Sequence, residues 1–202
     1  MKKWKLVISQ GLLAGGFASV ISTAVLALAG RRESGSAAAP LNAVSHWYWG
    51  DEAFDQNKAD LAHTAAGLLT HHVAATFWAT LYAALASDRP ALRSTSGVVL
   101  GAVATSATAA LIDFKFTPHR FTPGYEHRLS TGALLGVHAA LAIGLAAGAL
   151  ALRDQHRDIE QPDDEEPSLS EAPAPRIVRH VRAGRARYVE ADDRISFLKS
   201  FP

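Results

Sequence analysis

The chain has 202 residues, of which 49% are hydrophobic and 19% are charged, and its formal net charge is +1. This near-neutral balance gives no electrostatic reason to expect a nucleic-acid partner. The absence of cysteine excludes disulfides, thiolate metal sites, iron–sulfur clusters and cysteine nucleophiles.

The charges are segregated, and four long stretches contain no Lys, Arg, Asp or Glu. About 20 apolar residues in a helix cross a bilayer core of about 30 Å. The sequence therefore predicts an all-α integral membrane protein, a four-transmembrane-helix bundle with spans at about 6–29, 61–86, 95–112 and 129–152. Residues 153–202 are acidic, proline-rich and then arginine-rich, which predicts a mostly disordered tail.

The first stretch follows a basic start, MKKWK, and ends near Ala27-Leu28-Ala29, which resembles a signal-peptide cleavage site. Its apolar run is about twice the ~7–15 residues usual in a signal peptide. That length favours a retained helix over a cleaved segment.

A short helix lying on the membrane surface is predicted in the first loop, around residues 41–53, where Trp47 and Trp49 fit an interfacial aromatic belt. The second span contains three histidines and ends in a turn so short that spans two and three must be antiparallel neighbours. The third span is rich in small residues. The next loop, residues 113–128, contains two Thr-Pro dipeptides and a Pro-Gly, which predict an ordered turn structure.

Small residues recur four apart in three of the spans, a spacing that lets membrane helices approach closely. This pattern predicts a tightly packed bundle. The pairs are Gly11/Gly15, Gly97/Gly101, Gly132/Gly136 and Gly144/Gly148.

Lys and Arg flanking the spans set the predicted orientation. The N-terminus, the short turn and the end of the fourth span together carry seven, against six in the two longer loops. The prediction is a multi-pass inner-membrane protein with both termini in the cytoplasm and both longer loops outside.

The two outer loops and the start of span two bring histidines, carboxylates, arginine and indole to one predicted rim. Such a rim can bind a metal, an anionic head group or a partner. The loops are also predicted to dock through ion pairs of Asp51, Glu52 and Glu126 with Arg120 and Arg128. Alternatively, Asp113 pairs with an arginine and the indoles anchor the interface. The candidate ligand-binding residues are His46, Trp49, Asp51, Glu52, His63, His119, Arg120, Glu126 and His127.

Two further histidines, His72 in span two and His138 in span four, are expected at similar depth near the membrane centre. Paired imidazoles from two helices are what haem b or a divalent metal requires. The alternative is that these histidines hydrogen-bond to Ser, Thr and backbone carbonyls of neighbouring helices.

Three segments, LNAVSHWYWGDEA, LAHTAAGLLTHHVAATFWA and TPHRFTPGYEHRLS, resemble those of an uncharacterised family of small bacterial four-span inner-membrane proteins. The resemblance covers about residues 41–150 and implies the topology, with no established activity attached to it. The positions it singles out are Ser45, His46, Trp49, Gly50, Asp51, His63, His72, Trp78, Pro118, Arg120, Pro123, Gly124 and Glu126.

No Ser-His-Asp order, glycine-rich phosphate loop or HExxH pattern is present in the sequence. The function expected is therefore non-enzymatic: a multi-pass membrane protein that binds a partner, lipid or small ligand at its outer rim. Expected partners are membrane lipids and either a membrane protein or a second copy of the chain. The alternative is a haem- or metal-binding, redox-active membrane protein that uses intramembrane histidines.

Overall fold

The computed structural model describes residues 2–160, with side chains described for residues 3–153. The regular secondary structure of this part of the chain is all helical and includes no β-strand, so the predicted all-α class is confirmed. The predicted disordered tail lies, from residue 161 onward, outside the described residues.

Four long helices include most of the four uncharged stretches, and short helices and turns connect them. The long helices are α1 (Lys2–Glu33), α4 (Ala66–Ser87), α5 (Thr95–Leu111) and α6 (Thr131–Glu160), and the short ones are α2 (Ala39–Val44) and α3 (His46–Trp49). Single π-helical turns at Leu61–Ala65 and Ile112–Phe116 join α4 and α5 to the loops. Both α1 and α6 extend beyond the predicted spans.

Within residues 2–160, three helical stretches are long and apolar enough to cross a membrane: Lys3–Glu33, Thr95–Phe116 and Thr131–Arg153. Helix α4 has 22 residues but is not among them. Its adjacent histidines, His71 and His72, lower the mean hydropathy of the helix although it contains no charged residue.

Helix α1 packs closely against both α4 and α6. A methyl group added to Gly15 would lie 2.5 Å from the Cα of Thr76 on α4. On another face of α1, a methyl group added to Gly144 of α6 would lie 2.4 Å from the Cα of Ala18. The backbones approach because these glycines lack a Cβ. Ala14, Ala18, Ala79 and Leu145 are buried in the core between these helices.

Helix α5 is held to its neighbours by hydrogen bonds as well as by packing. The Tyr82 hydroxyl on α4 donates to the Val98 carbonyl at 3.3 Å, and Gly101 lies against the Tyr82 ring. The Ser106 hydroxyl donates to the His138 carbonyl on α6 at 2.7 Å. Of the four predicted glycine pairs, only Gly132/Gly136 is not packed closely, since added methyl groups there would meet nothing nearer than 3.9 Å.

The two ends of the bundle differ. At one end, here called the turn end, Lys3 donates to Asp88 at 2.6 Å and Arg153 donates to the Arg93 carbonyl at 3.2 Å. At the opposite end, here called the loop end, loop one (residues 34–60) meets loop two (residues 117–130). The helix predicted around residues 41–53 is found as the consecutive short helices α2 and α3. Helix α2 is buried, whereas Tyr48 and Trp49 of α3 are exposed. Helix α2 packs against Gly67 at the start of α4.

Candidate functional site

The two loops dock on each other through side-chain donors and backbone acceptors. The indole Nε1 of Trp47 donates to the Thr122 carbonyl at 2.9 Å. In the other direction, Nη1 of Arg120 donates to the His46 carbonyl at 3.3 Å. Each loop thus supplies a donor to the backbone of the other.

Arg128 in loop two makes the most extensive contact between the loops. Its Nη1 donates to the Phe54 carbonyl at 2.6 Å, and its Nη2 donates to the Asn57 side chain. The Arg128 carbonyl in turn accepts from the Ser34 hydroxyl at 2.9 Å. This one residue therefore ties loop two to the beginning and the end of loop one.

The ion pairs predicted to hold the loops together do not form. No pair joins Asp51, Glu52 or Glu126 to Arg120 or Arg128 in the described part of the chain. The physical reason is that both guanidinium groups are used by oxygen acceptors of loop one, most of them backbone carbonyls. Asp51 and Glu52 point into open surroundings on the surface. The Oε2 atom of Glu126 is buried and has no hydrogen-bond partner among the described residues.

Three of the predicted rim histidines lie together around Phe54. The Phe54 ring stacks on His127 at 4.3 Å between centroids and lies 5.0 Å from His46, while His119 and His127 are 5.5 Å apart. His46 is buried, and both its ring nitrogens face backbone carbonyls, those of Ala43 at 2.9 Å and His119 at 3.3 Å. The imidazole of His46 is therefore engaged in holding the loops and is not directed at a ligand.

Trp49 and His63 form a separate cluster at the start of α4. Trp49 donates to the Ala62 carbonyl at 3.3 Å, and its ring lies 5.9 Å from that of His63. The His63 ring pairs with Asp60 at 3.0 Å. A hydrogen bond from the His63 backbone N–H, at 2.6 Å, lowers the pKa of Asp60. The residues of the predicted rim thus lie in two separate clusters.

A space shared by both loops and the helices exists one layer deeper. A cavity of about 540 Å³, here called the loop-end cavity, lies beneath the docked loops and between the helices. Its roof is Trp47, Tyr48, Phe121 and Pro123, and polar groups of four helical segments reach it from below. Those polar groups are Ser22, Thr70, His71, Asp113 and His138.

His71 is fixed in one tautomer by its partner on α1. The Ser22 hydroxyl lies 2.8 Å from Nε2 of His71 and 2.7 Å from the Ala18 carbonyl. A carbonyl only accepts, so the single hydroxyl proton goes to Ala18, and Nε2 of His71 must donate to the serine oxygen. The lone pair of His71 is therefore on Nδ1.

His138 is fixed in the opposite tautomer. Its Nδ1 lies 3.0 Å from the Leu134 carbonyl and must donate to it, which leaves the lone pair on Nε2. Neither Nδ1 of His71 nor Nε2 of His138 has a hydrogen-bond partner among the described residues. The loop-end cavity is consequently lined by two imidazoles, each of which in its neutral form has one acceptor nitrogen without a hydrogen-bond partner among the described residues.

The predicted pairing of His72 with His138 is wrong. His72 is exposed on the outside of α4 and does not line the cavity, whereas its neighbour His71 is buried and does. Successive residues of a helix point about 100° apart, so only one of the two can face α1 and α6. Within the described residues, no group of three or more His, Asp or Glu side chains is placed to hold a metal ion.

Aromatic rings link the two inner histidines. The Tyr125 ring lies 6.4 Å from His71 and 6.3 Å from Phe114, and Phe114 lies 5.5 Å from His138. Tyr125 is buried, and burial raises the pKa of its phenol well above the ordinary value. Asp113 lines the same cavity, with no hydrogen bond or ion pair to a described residue. The cavity thus presents acceptors, on His71, His138 and Asp113, and the Tyr125 hydroxyl on an aromatic and aliphatic lining.

The chain matches no protein-family model, no curated protein and no solved structure. The family resemblance drawn from the three sequence segments therefore stays a prediction, and the site must be interpreted from its own geometry.

Proposed function

We propose that the chain is a multi-spanning, non-enzymatic membrane protein that binds a small amphipathic ligand in the loop-end cavity. The observation that carries the proposal is the pair of unused acceptor nitrogens on His71 and His138, which line one cavity. Polar groups in the interior of a protein are normally hydrogen-bonded, so acceptors that border a mostly apolar cavity and have no protein partner favour a ligand that donates to them.

The chemistry of the lining indicates the kind of ligand. Neutral imidazole nitrogens and the Asp113 carboxylate accept hydrogen bonds, so the polar head of the ligand should carry hydroxyl groups, as a phenol or alcohol does. Leu69, Val73 and Phe77 supply an apolar wall for the rest of the molecule. A volume of about 540 Å³ lies within the usual range for small-molecule sites, ~300–1,000 Å³.

The ligand enters sideways, between α4 and α5. These helices contact each other near the turn end, where Tyr82 meets Val98. Nearer the loops, Leu69, Phe77 and Ile112 line the cavity and are at the same time exposed on the outer surface of the bundle. An opening walled by apolar side chains admits a molecule dissolved in the membrane better than one dissolved in water.

The proposal includes α4 as a fourth span, because α4 runs beside α1 over the length from Thr80 to His71. It also includes an inner-membrane location with both loops outside and both termini in the cytoplasm. Alkaline phosphatase fused at Ser36 or after Gly124 should be active, and fused at Arg89 inactive. The reverse pattern would show that the orientation is inverted.

Ligand binding is tested by fluorescence, since Trp47 and Trp78 line the cavity. The probe is a brominated long-chain phenol, which quenches nearby indoles, and it is compared with its methyl ether, which has no hydrogen to donate. We expect the phenol to bind the full-length protein about fivefold or more tightly, the effect of one hydrogen bond of about 1 kcal/mol. His71→Leu and His138→Leu should remove this preference.

The matched control is His72→Leu, which alters the adjacent histidine on the exposed face of α4. It should leave the preference for the phenol unchanged. Equal binding of phenol and ether, or an equal loss in His72→Leu, would contradict the proposal. A haem absorbance band in the purified protein, lost in His138→Ala, would instead support the alternative of a haem protein.

A further inference from the structure

A second cavity lies at the turn end, at the opposite end of the bundle from the proposed ligand site. It has a volume of about 510 Å³ and is walled by α1, α4, α5 and α6. Its walls are mostly aliphatic. The side chains that form them include Leu6, Val7, Ala83, Val98 and Leu152.

The mouth of this turn-end cavity is lined by charged side chains. Three of them are cations, Lys3, Arg93 and Arg153, and one is a carboxylate, Asp88. An excess of positive charge beside an aliphatic cavity matches a molecule with an anionic head and an apolar chain.

The position of these cations along the helices agrees with that chemistry. The candidate span in α1 begins at Lys3, and the candidate span in α6 ends at Arg153. In a bilayer the ends of the spans lie at the depth of the lipid head groups, while the cavity walls lie at the depth of the acyl chains.

The cations are held in place by contacts to the turn between α4 and α5. Nη2 of Arg93 donates to the Ser87 carbonyl at 2.5 Å. Nη1 and Nη2 of Arg153 donate to the Arg93 carbonyl at 3.2 Å and to the Thr95 hydroxyl at 3.1 Å. A guanidinium has five N–H groups, so Arg93 retains donors for a phosphate oxygen.

Lys3 contributes the third positive charge on a less constrained side chain. Its ammonium pairs with Asp88 at 2.6 Å, and both side chains are more than half exposed. An exposed pair of this kind is weak. The lysine can therefore turn to a phosphate without a large cost.

We propose that the turn-end cavity binds one anionic phospholipid, with an acyl chain between the helices and the phosphate at Lys3 and Arg93. This inference is independent of the loop-end cavity, because the two sites lie at opposite ends of the bundle. A lipid seated there links α1, α5 and α6 to the turn, so it should also stabilise the bundle by binding the folded state.

The test measures lipid binding to the full-length protein in detergent by native mass spectrometry. Phosphatidylglycerol is compared with phosphatidylcholine that carries the same acyl chains. We expect one phosphatidylglycerol to bind, with a dissociation constant about fivefold or more below that of phosphatidylcholine, and Arg93→Gln or Lys3→Gln to weaken it about fivefold.

The matched control is Arg89→Gln, which removes a cation from the same turn but from a position outside the cavity lining. It should leave phosphatidylglycerol binding unchanged. Equal loss in Arg89→Gln and Arg93→Gln would show diffuse attraction to surface charge and overturn the site. Equal binding of the two lipids would overturn it as well.

The acyl chain is tested separately with Ala86→Phe, which fills the cavity and keeps every charge at its mouth. Provided that gel filtration and circular dichroism show a folded protein, this variant should lose phosphatidylglycerol. Inorganic phosphate at millimolar concentration should not displace the lipid. Displacement by phosphate, or full binding in folded Ala86→Phe, would show a site for the anion alone and refute the acyl-chain pocket.

Discussion

Alanine substitutions at two adjacent glycines of α1 test whether this helix packs against α4. A Cβ on Gly15 would lie 2.5 Å from the Thr76 Cα, and because that is a backbone atom, α1 or α4 would have to move. A Cβ on Gly16 would meet nothing within 4 Å. Gly15→Ala and Gly16→Ala therefore make the same chemical change on a packed face and on an open one.

The expected magnitude follows from two opposing effects. Alanine is favoured over glycine inside a helix by about 0.8–1.0 kcal/mol, and both variants gain this amount. Only Gly15→Ala adds an overpacking cost of about 1–3 kcal/mol. Gly16→Ala should thus be as stable as the parent protein or more so, and Gly15→Ala should be less stable than Gly16→Ala by about 1–3 kcal/mol.

The assay is unfolding of the full-length protein in mixed micelles with increasing sodium dodecyl sulfate, followed by circular dichroism. Comparing the two variants with each other removes the effect of helix propensity. Equal stability would mean that α1 does not pack on α4 as described. It would also weaken the argument that α4 lies in the membrane beside α1.

Three further predictions concern the loop end. Gly124→Ala should lower the free energy of unfolding by more than Gly50→Ala. Both glycines have a positive φ, +86° and +72°, so alanine is strained at either position. Only at Gly124 would the added Cβ also meet backbone, the Ala43 carbonyl oxygen at 2.5 Å. A double-mutant cycle of Asp51→Asn with Arg120→Gln should be additive within about 0.3–0.5 kcal/mol; coupling beyond that would show an ion pair. The pKa of Asp60 is lower in the folded protein than in the unfolded chain. The Asp60 carboxylate should therefore stabilise the Leu61–Ala65 turn fully above the unfolded-state pKa, and this stabilisation should be lost as the pH falls through the folded-state pKa. Hydrogen exchange of that turn should show this, and Asp60→Asn should remove the dependence.

The long helices were predictable because their signal is local. A run of uncharged, mostly apolar residues such as 129–152 predicts a membrane helix whatever surrounds it. The bundle packing was partly predictable for the same reason, since Gly144 and Gly148 mark a face where α1 comes close. The glycines at 132 and 136 have the same spacing but no close neighbour. The spacing alone therefore does not predict which face of a helix is turned inward.

The histidine pair of the loop-end cavity was not predicted, because it depends on which face of α4 is turned inward. His71 and His72 are adjacent and chemically identical, and depth in the membrane does not distinguish them. Ser22 on α1 decides between them through its hydrogen bond with His71, and that contact joins residues 49 apart in the chain. The contact of the neighbouring Thr70 with Tyr48 of loop one joins residues 22 apart, so it too carries no local sequence signal.

The loop docking was predicted with the wrong chemistry for a related reason. Opposite charges in two loops are visible in a sequence, whereas backbone carbonyls are present at every residue and carry no sequence signal. Arg120 and Arg128 each reach a carbonyl of loop one. The Phe54 carbonyl lies in the last turn of a short helix, Gly50–Asp55, and the His46 carbonyl accepts from Arg120 in addition to the Gly50 N–H. Such acceptors satisfy a guanidinium without requiring a second charge to be desolvated.

This docking also bears on how the loop-end cavity is reached. Its roof is held by Trp47, whose indole bonds to loop two, and by Tyr48, which contacts Thr70 on α4 at 3.1 Å. Opening the roof would break these bonds along with those of the two arginines. The gap between α4 and α5 is lined by Phe77 and Ile112, and no described hydrogen bond crosses it there. For the ligand proposed above, entry through that gap would break no described hydrogen bond, whereas entry through the roof would break several.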